Sequence, residues 1–217
     1  MINSDNMRSL CESMGSQFIQ LVGTPIYSGY LKRPATEHRG KIQQVIFAGR
    51  LAPEKNITEV INAAKRLPKI QFVIAGDGPL RTEIETAAGE LTNLTYKQWL
   101  ATEALITAID NSDLLILPSS FESFGTVALE AMSRQRLAIV SAGCGIVDWP
   151  ILRKQLAVID QPAELGAAIE QIAKTESQVL QQQARQAQSA ALDHHQQTLD
   201  CWHDVLTQYV SGQRAAA

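Results

Sequence analysis

The chain has 217 residues, 45% of them hydrophobic and 19% charged, and a formal net charge of −3. That size supports one globular domain with a full core and room for appendages. The slight negative balance excludes a general electrostatic pull toward nucleic acid or anionic lipid, and no apolar run is long enough to span a bilayer.

The opening residues lack the basic-then-apolar plan of a secretory signal, so a reducing, cytoplasmic setting is expected. Cys11, Cys144 and Cys201 are scattered and odd in number, which argues against a disulfide framework or a zinc site. His194 and His195 are adjacent and would leave a helix on different faces, which reads as two solvated side chains.

Residues 4–15 read as a short helix that Ser4 or Asp5 could cap and Gly15 could end. An apolar run at 18–22 leads into a Gly/Pro-containing stretch, and the polar residues 35–41 complete what reads as a linker. Six short runs then follow, at 45–48, 72–75, 94–97, 114–117, 137–140 and 156–159, rich in β-branched or large apolar residues. Four are almost unbroken, as expected of strands buried on both faces. Helical spacing fills the gaps at 58–67, 80–88, 102–110, 126–134 and from Pro162 to about 174. Strand and helix alternating at this interval predict βαβ units, hence a Rossmann-like, doubly wound parallel sheet of about six strands with helices on both faces. From 177 the chain is rich in Gln and Ala and reads as helix. A second helix is expected near Thr198, with Leu199, Trp202, Val205, Leu206 and Tyr209 as its apolar stripe, and the final SGQRAAA is expected to fray.

Ligands of open parallel sheets bind beyond the carboxyl ends of the strands, so the residues after each strand carry the functional reading. After the first come Gly49, which allows a sharp turn, and the cations Arg50 and Lys55. A diphosphate needs a guanidinium fork and a second positive charge, each charge-assisted bond contributing roughly 1.5–3 kcal/mol; taken alone, the two are better explained as surface charges. Gly76-Asp77-Gly78 follows the second strand, with Arg81 where a dinucleotide fingerprint has its third glycine. A tight turn explains it better than a nicotinamide cofactor does. After the fourth strand, Glu122 lies in a loop, Gly125 and Thr126 open a helix, and Glu130 sits about one turn inside it. A helix start favours phosphate, and two carboxylates at this spacing can reach different hydroxyls of an elongated ligand.

These segments resemble the C-terminal, donor-binding domain of GT-B fold retaining glycosyltransferases, in particular family four (glycosyl transferases group 1). FAGRLAPEKN, FVIAGDGPLRTEIE, SDLLILPSSFESFGTVALEAM and the weaker LAVIDQPAELGAAIEQI match in order, and the third holds the E-x7-E signature from Glu122 to Glu130. The resemblance implies that Arg50 and Lys55, next to Gly49, hold a donor diphosphate, that Glu130 accepts from ribose hydroxyls, and that Glu122 contacts the donor sugar. It also implies that Phe124, Gly125 and Thr126 line sugar and phosphate through backbone and shape, and that Trp99 and Leu100 touch the base.

The implied reaction moves a hexose from a UDP- or GDP-sugar to an acceptor hydroxyl with retention, with Glu122, Arg50 and Lys55 as the reacting-site residues and no metal or other cofactor required. The implied organisation is a remnant of an acceptor domain plus linker at 1–40, the nucleotide-sugar domain at 41–176 and a helical segment at 177–217. The implied partners are the nucleotide sugar, an acceptor saccharide, free or lipid-linked, and an acceptor domain or second chain that would complete the enzyme. This chain alone would not be competent, and peripheral attachment to the inner membrane face would come through that missing half.

Departures from the family pattern fall at Gln135-Arg136-Leu137, where Gly-x-Pro is usual, at Cys144-Gly145 in place of Gly-Gly, at Asp148 in place of Glu, and at Gln98 in place of a glycine. Two alternatives remain open. One is a non-catalytic nucleotide-sugar-binding subunit or relic without its acceptor domain; the other is a related epimerase of the same fold.

Overall fold

Apolar runs that alternate with amphipathic helices can bury both sheet faces only by parallel pairing with crossover helices. The computed structural model, which describes residues 1–16 and 19–210, has that arrangement. Strands β1 (Gln44–Ala48), β2 (Gln71–Ala75), β3 (Leu94–Lys97), β4 (Leu114–Leu117), β5 (Leu137–Ser141) and β6 (Ala157–Ile159) form one sheet in the order β3-β2-β1-β4-β5-β6. Every pairing is parallel, and the register runs Val45 against Phe72 on one side and against Leu114 on the other. All six strands lie within one residue of the predicted runs. Phe18 and residues 211–217, and the side chain of Tyr209, lie outside the described residues.

The helices are α1 (Arg8–Ser13), α2 (Ile57–Arg66), α3 (Arg81–Glu90), α4 (Thr102–Asp110), α5 (Thr126–Ser133), α6 (Pro150–Arg153), α7 (Leu165–Ala173) and α8 (Ser177–Val210). Helix α2 buries Ile57, Val60, Ile61, Ala63 and Ala64, the face that its spacing predicts. The core runs through Phe47, Phe72, Ile74, Leu114 and Ile139, all essentially inaccessible; burying one such side chain contributes roughly 1.5–3 kcal/mol.

Two expectations need correction. Helix α8 is a single element of 34 residues, not two. Its inner stripe, Leu180, Ala184, Ala187, Ala191, His194 and Thr198, is buried continuously past Asp193, so packing carries the helix through the expected break. His194 is therefore not solvated; it has no exposed surface, and the half-buried Nδ1 of His195 accepts the Ile26 N–H at 3.1 Å. Residues 35–41, read as a linker, are exposed for the most part, with His38 and Gly40 buried against the sheet domain. His38 is buried and bonds the Asp113 carbonyl at 3.0 Å, and Arg39 Nε reaches Asp113 Oδ1 at 2.7 Å. The short elements Gly145–Asp148 and α6 were not expected, because four-residue helices leave no periodicity to read.

Two buried arginines fasten the leading segment to the sheet domain. The Arg134 guanidinium bonds both Asp110 carboxylate oxygens (2.8 and 2.9 Å) and the carbonyls of Tyr30, Arg33 and Pro34. Arg136 bonds the carbonyls of Ile109, Asp110 and Thr36. Gln135 between them adopts a left-handed backbone (φ 57) at the position where the family pattern has glycine, and its amide donates to Gln188 Oε1 at 2.9 Å.

The loops after β1 and β2 are laced together: Gly49 N–H to the Ala75 carbonyl, Leu51 N–H to Asp77, and Leu80 N–H to Leu51, all at 2.9–3.0 Å. This approach requires Gly76, at φ 146, where a Cβ would sit 1.9 Å from the Gly49 carbonyl oxygen. Gly76→Ala is expected to cost about 3 kcal/mol or more in a urea melt, since the clash is with backbone. Gly89→Ala, in α3 with nothing within 4 Å of its Cβ position, should instead stabilise by up to about 1 kcal/mol.

Candidate functional site

In the strand order β3-β2-β1-β4-β5-β6, chain crossovers leave β1 and β4 in opposite directions and open a crevice beyond their carboxyl ends. A cavity of about 260 Å³ lies at this end of the sheet, lined by Ala48 and Gly49 after β1, Ala75 and Gly76 after β2, Trp99 and Leu100 after β3, Leu105 of α4, and Thr126, Val127 and Glu130 of α5. The wall is mostly apolar, and Glu130 is its one ionisable residue among the described residues. Trp99 is 74% exposed and offers a free aromatic face at the rim. This combination of apolar wall, open indole and single carboxylate can hold a flat aromatic group that carries hydroxyl donors.

Beside the cavity, the loop after β1 is stitched to the loop after β4. Asn56, in a left-handed conformation (φ 51), donates from Nδ2 to the Pro118 carbonyl (2.7 Å) and to Ser120 Oγ (2.8 Å), and Ser120 N–H donates to the Glu54 carbonyl (2.8 Å). The stitch places Lys55 Nζ 2.6 Å from Glu122 Oε1, with the lysine side chain 11% exposed. Each charge compensates the other, so removing either leaves a half-buried charge unpaired. Arg50 is exposed and pairs with Glu54. The loop continues into α5 through Gly125, whose φ of 97 turns the chain into the helix at the end of β4. The first turn of α5 therefore opens where Thr126 and Val127 line the cavity, with amide groups that no preceding helical turn can pair.

Glu130 is raised from the ordinary carboxylic-acid range to about 7, first by burial; a hydrogen bond from the Tyr30 hydroxyl opposes the shift. Tyr30 is itself buried, and its phenol is pushed upward by burial and by Glu130. Phe124 turns away from the cavity into the core. Its ring stacks on His194 (centroids 5.5 Å apart, planes at 25°), and Trp149 meets the same imidazole edge-on at 4.5 Å. Burial lowers His194 to about 4, so it is neutral at ordinary pH.

Of the residues singled out in the sequence, Gly49, Trp99, Leu100, Thr126 and Glu130 share the cavity wall. Lys55 and Glu122 meet each other beside it, and Gly125 sets the helix entry. Arg50 stays at the surface on Glu54, and Phe124 leaves any ligand contact to its backbone. Sequence reasoning did not single out Asn56 or Tyr30, and it read His194 as solvated. Asn56 had a signal, a left-handed-tolerant residue directly before a helix; Tyr30 and His194 act across long sequence separations and had none.

The class is thus an open Rossmann-like α/β domain with its crevice at the strand switch point. The chain belongs to the glycosyl transferases group 1 family, whose profile matches residues 31–191. It is 37% identical over 99 residues to the alpha-D-kanosaminyltransferase of Streptomyces kanamyceticus, covering 42% of this chain and 26% of that protein. It is 25% identical over 179 residues to the 2-deoxystreptamine N-acetyl-D-glucosaminyltransferase of Niallia circulans, covering 79% and 45%. The chain spans less than half the length of the curated relatives it matches. Among solved structures, HepE of Anabaena, in complex with UDP and glucose, superposes with a TM-score of 0.76 at 15% identity, over 97% of this chain and 62% of that one. TarM of S. aureus superposes at 0.78 and 15%, over 94% and 42%. These neighbours are GT-B glycosyltransferases, and the fold is shared with them.

A carboxyl that stays protonated in the folded chain until about pH 7, but ionises near 4.5 when unfolded, costs stability increasingly across that interval. Glu130→Gln is therefore expected to match the parent protein below pH 4.5 and to exceed it by about 3 kcal/mol above pH 7. Tyr30→Phe should move the Glu130 midpoint upward, as read by NMR titration of the carboxyl carbon.

Proposed function

We propose that this chain is the donor-binding half of a retaining glycosyltransferase that transfers a hexose from a UDP- or GDP-sugar to an acceptor hydroxyl. The observation that carries the reading is the convergence of the Trp99–Glu130 cavity, the start of α5 and the Lys55–Glu122 pair on one end of the sheet. Trp99 and Leu100 take the base, and Glu130 accepts from the ribose hydroxyls. Gly49 lets the chain pass close to the diphosphate. Lys55, Arg50 and the amides of Gly125 and Thr126 compensate its charge, and Glu122, beside the Phe124 backbone, accepts from hydroxyls of the sugar.

Cleavage of the anomeric bond leaves negative charge on the outgoing diphosphate. Cations and a helix start already in position stabilise that charge without reorganisation, so the chain's contribution is placement and electrostatics rather than a covalent nucleophile. The chemistry asks for no metal or other cofactor in this reading. An acceptor-binding unit, carried on a longer chain or a partner, supplies the acceptor saccharide; the greater length of the relatives supports this division. In the same reading residues 1–40 belong with that unit and its connection, 41–176 with the donor, and 177–217 form the closing helical segment. A cytoplasmic setting, with any membrane attachment made through the acceptor-binding unit, is part of the proposal. No helix among the described residues is long and apolar enough to cross a membrane.

UDP or GDP at millimolar concentration should raise Tm through mass action, by about 2.7 kcal/mol of added stability at a hundred times Kd. A flat melting temperature with every nucleoside diphosphate would remove the proposal. Arg50→Ala should weaken nucleoside diphosphate binding by about ten-fold or more while leaving nucleoside binding unchanged, as measured by calorimetry. Equal losses would show that the guanidinium does not touch phosphate.

A further inference from the structure

The first residues of the chain reach into the loop that carries Glu122. Ile2 is anchored beside residues 20–22: its N–H donates to the Gln20 carbonyl, and its own carbonyl accepts from Val22, both at 2.9 Å. Ser4 follows, fully buried, with Oγ hydrogen-bonded to the Ser123 carbonyl. Asn6 Nδ2 donates to the Glu122 carbonyl at 3.0 Å, and Asn6 N–H donates to Asp148 Oδ2 at 3.1 Å. Trp149 Nε1 closes the set on the Asn3 carbonyl at 2.9 Å. Gly145 makes room for this seat: a Cβ there would lie 2.4 Å from Ser4 Oγ and 2.2 Å from the Ser123 carbonyl oxygen.

Two successive carbonyls of one loop, those of Glu122 and Ser123, are thus held by side chains more than a hundred residues away. The Glu122 carbonyl also accepts Gly145 N–H at 3.0 Å, so it is fixed from two sides. The carboxylate of the same residue meets Lys55. The backbone clamp adds to the bonds from residues 143–146 that fix the loop from which that carboxylate projects, whereas the Trp99–Glu130 cavity is built from other elements. Residues 3–6 touch none of the cavity wall in the contacts above.

We propose that Asn6, with Ser4, is a positioning residue for Glu122, so that the leading segment sets recognition of the donor's sugar but not of its nucleoside diphosphate. This inference rests on the reading of Glu122 as a sugar contact. A hydrogen bond to a backbone carbonyl contributes little to the ligand directly; its effect is to hold the carboxylate within the narrow geometry that a sugar hydroxyl requires.

The test is calorimetric titration of the full chain with UDP, UDP-glucose, GDP and GDP-mannose. In the parent protein one nucleoside diphosphate binds, and its sugar conjugate binds several-fold more tightly. Asn6→Ala should abolish that sugar increment while changing nucleoside diphosphate affinity less than two-fold. Asn6→Asp, which keeps the shape but loses the amide donor, should behave the same way, and a matching Tm confirms that both variants are folded. In a Glu122→Gln background, Asn6→Ala should have no further effect, because the two act through one group. Equal losses for both ligands, additivity with Glu122→Gln, an intact increment in Asn6→Ala, or no increment in the parent protein would each overturn the inference. Nucleoside diphosphate binding in the same titrations reports separately on the donor-site reading, which fails only if none of the ligands binds.

Discussion

The site depends on a stitch across the switch point of the sheet. The loops after β1 and β4 leave the sheet in opposite directions, and nothing in strand pairing holds their tips together. The Asn56 amide does, by bonding Pro118 and Ser120, with Ser120 returning a bond to Glu54. Only with that closure do Lys55 and Glu122, 67 positions apart in sequence, come to 2.6 Å. The left-handed backbone of Asn56 is part of the same device, because it turns the chain out of the short 3₁₀ turn Pro53–Lys55 and into α2.

The pair also gives the crevice an unusual electrical balance. Each charge already has its partner before any ligand arrives, so a dianionic group entering here must share Lys55 with a carboxylate rather than meet a bare cation. Arg50 is likewise paired, with Glu54, so the amides at the start of α5 carry the positive character that no carboxylate offsets. Glu130 lies apart from this exchange, in a mostly apolar wall, where burial raises its carboxyl to about 7. A polar ligand that donates to it would favour the ionised form and release a proton on binding.

How much of this could be read from the residues depended on range. Strands such as 114–117, unbroken and bounded by polar residues, declare themselves locally, and so does the turn-to-helix sequence from Ser120 to Glu130. Contacts that join distant segments do not. The continuity of α8 past Asp193 follows from a buried stripe against α5 and α6, which the Gln-rich tract does not announce. His194 looked like a surface histidine beside another; its place between Phe124 and Trp149 is a property of the packed fold alone. The bonds that tie residues 33–39 to the sheet domain were not legible because Arg134, Arg136 and Asp113, which make them, are scattered among the strands and helices. The deviation at Gln135 was visible as a missing glycine, yet only in the folded chain does glutamine take up the left-handed backbone and anchor to Gln188.

Helix α8, at 34 residues, is a rod of roughly 50 Å. Its middle carries His194 beneath Phe124, while its outer part presents Leu199 and Leu206 uncovered to solvent. One continuous helix therefore spans from the underside of the Phe124 ring, next to the loop that holds Glu122, to the exposed leucines near its outer end.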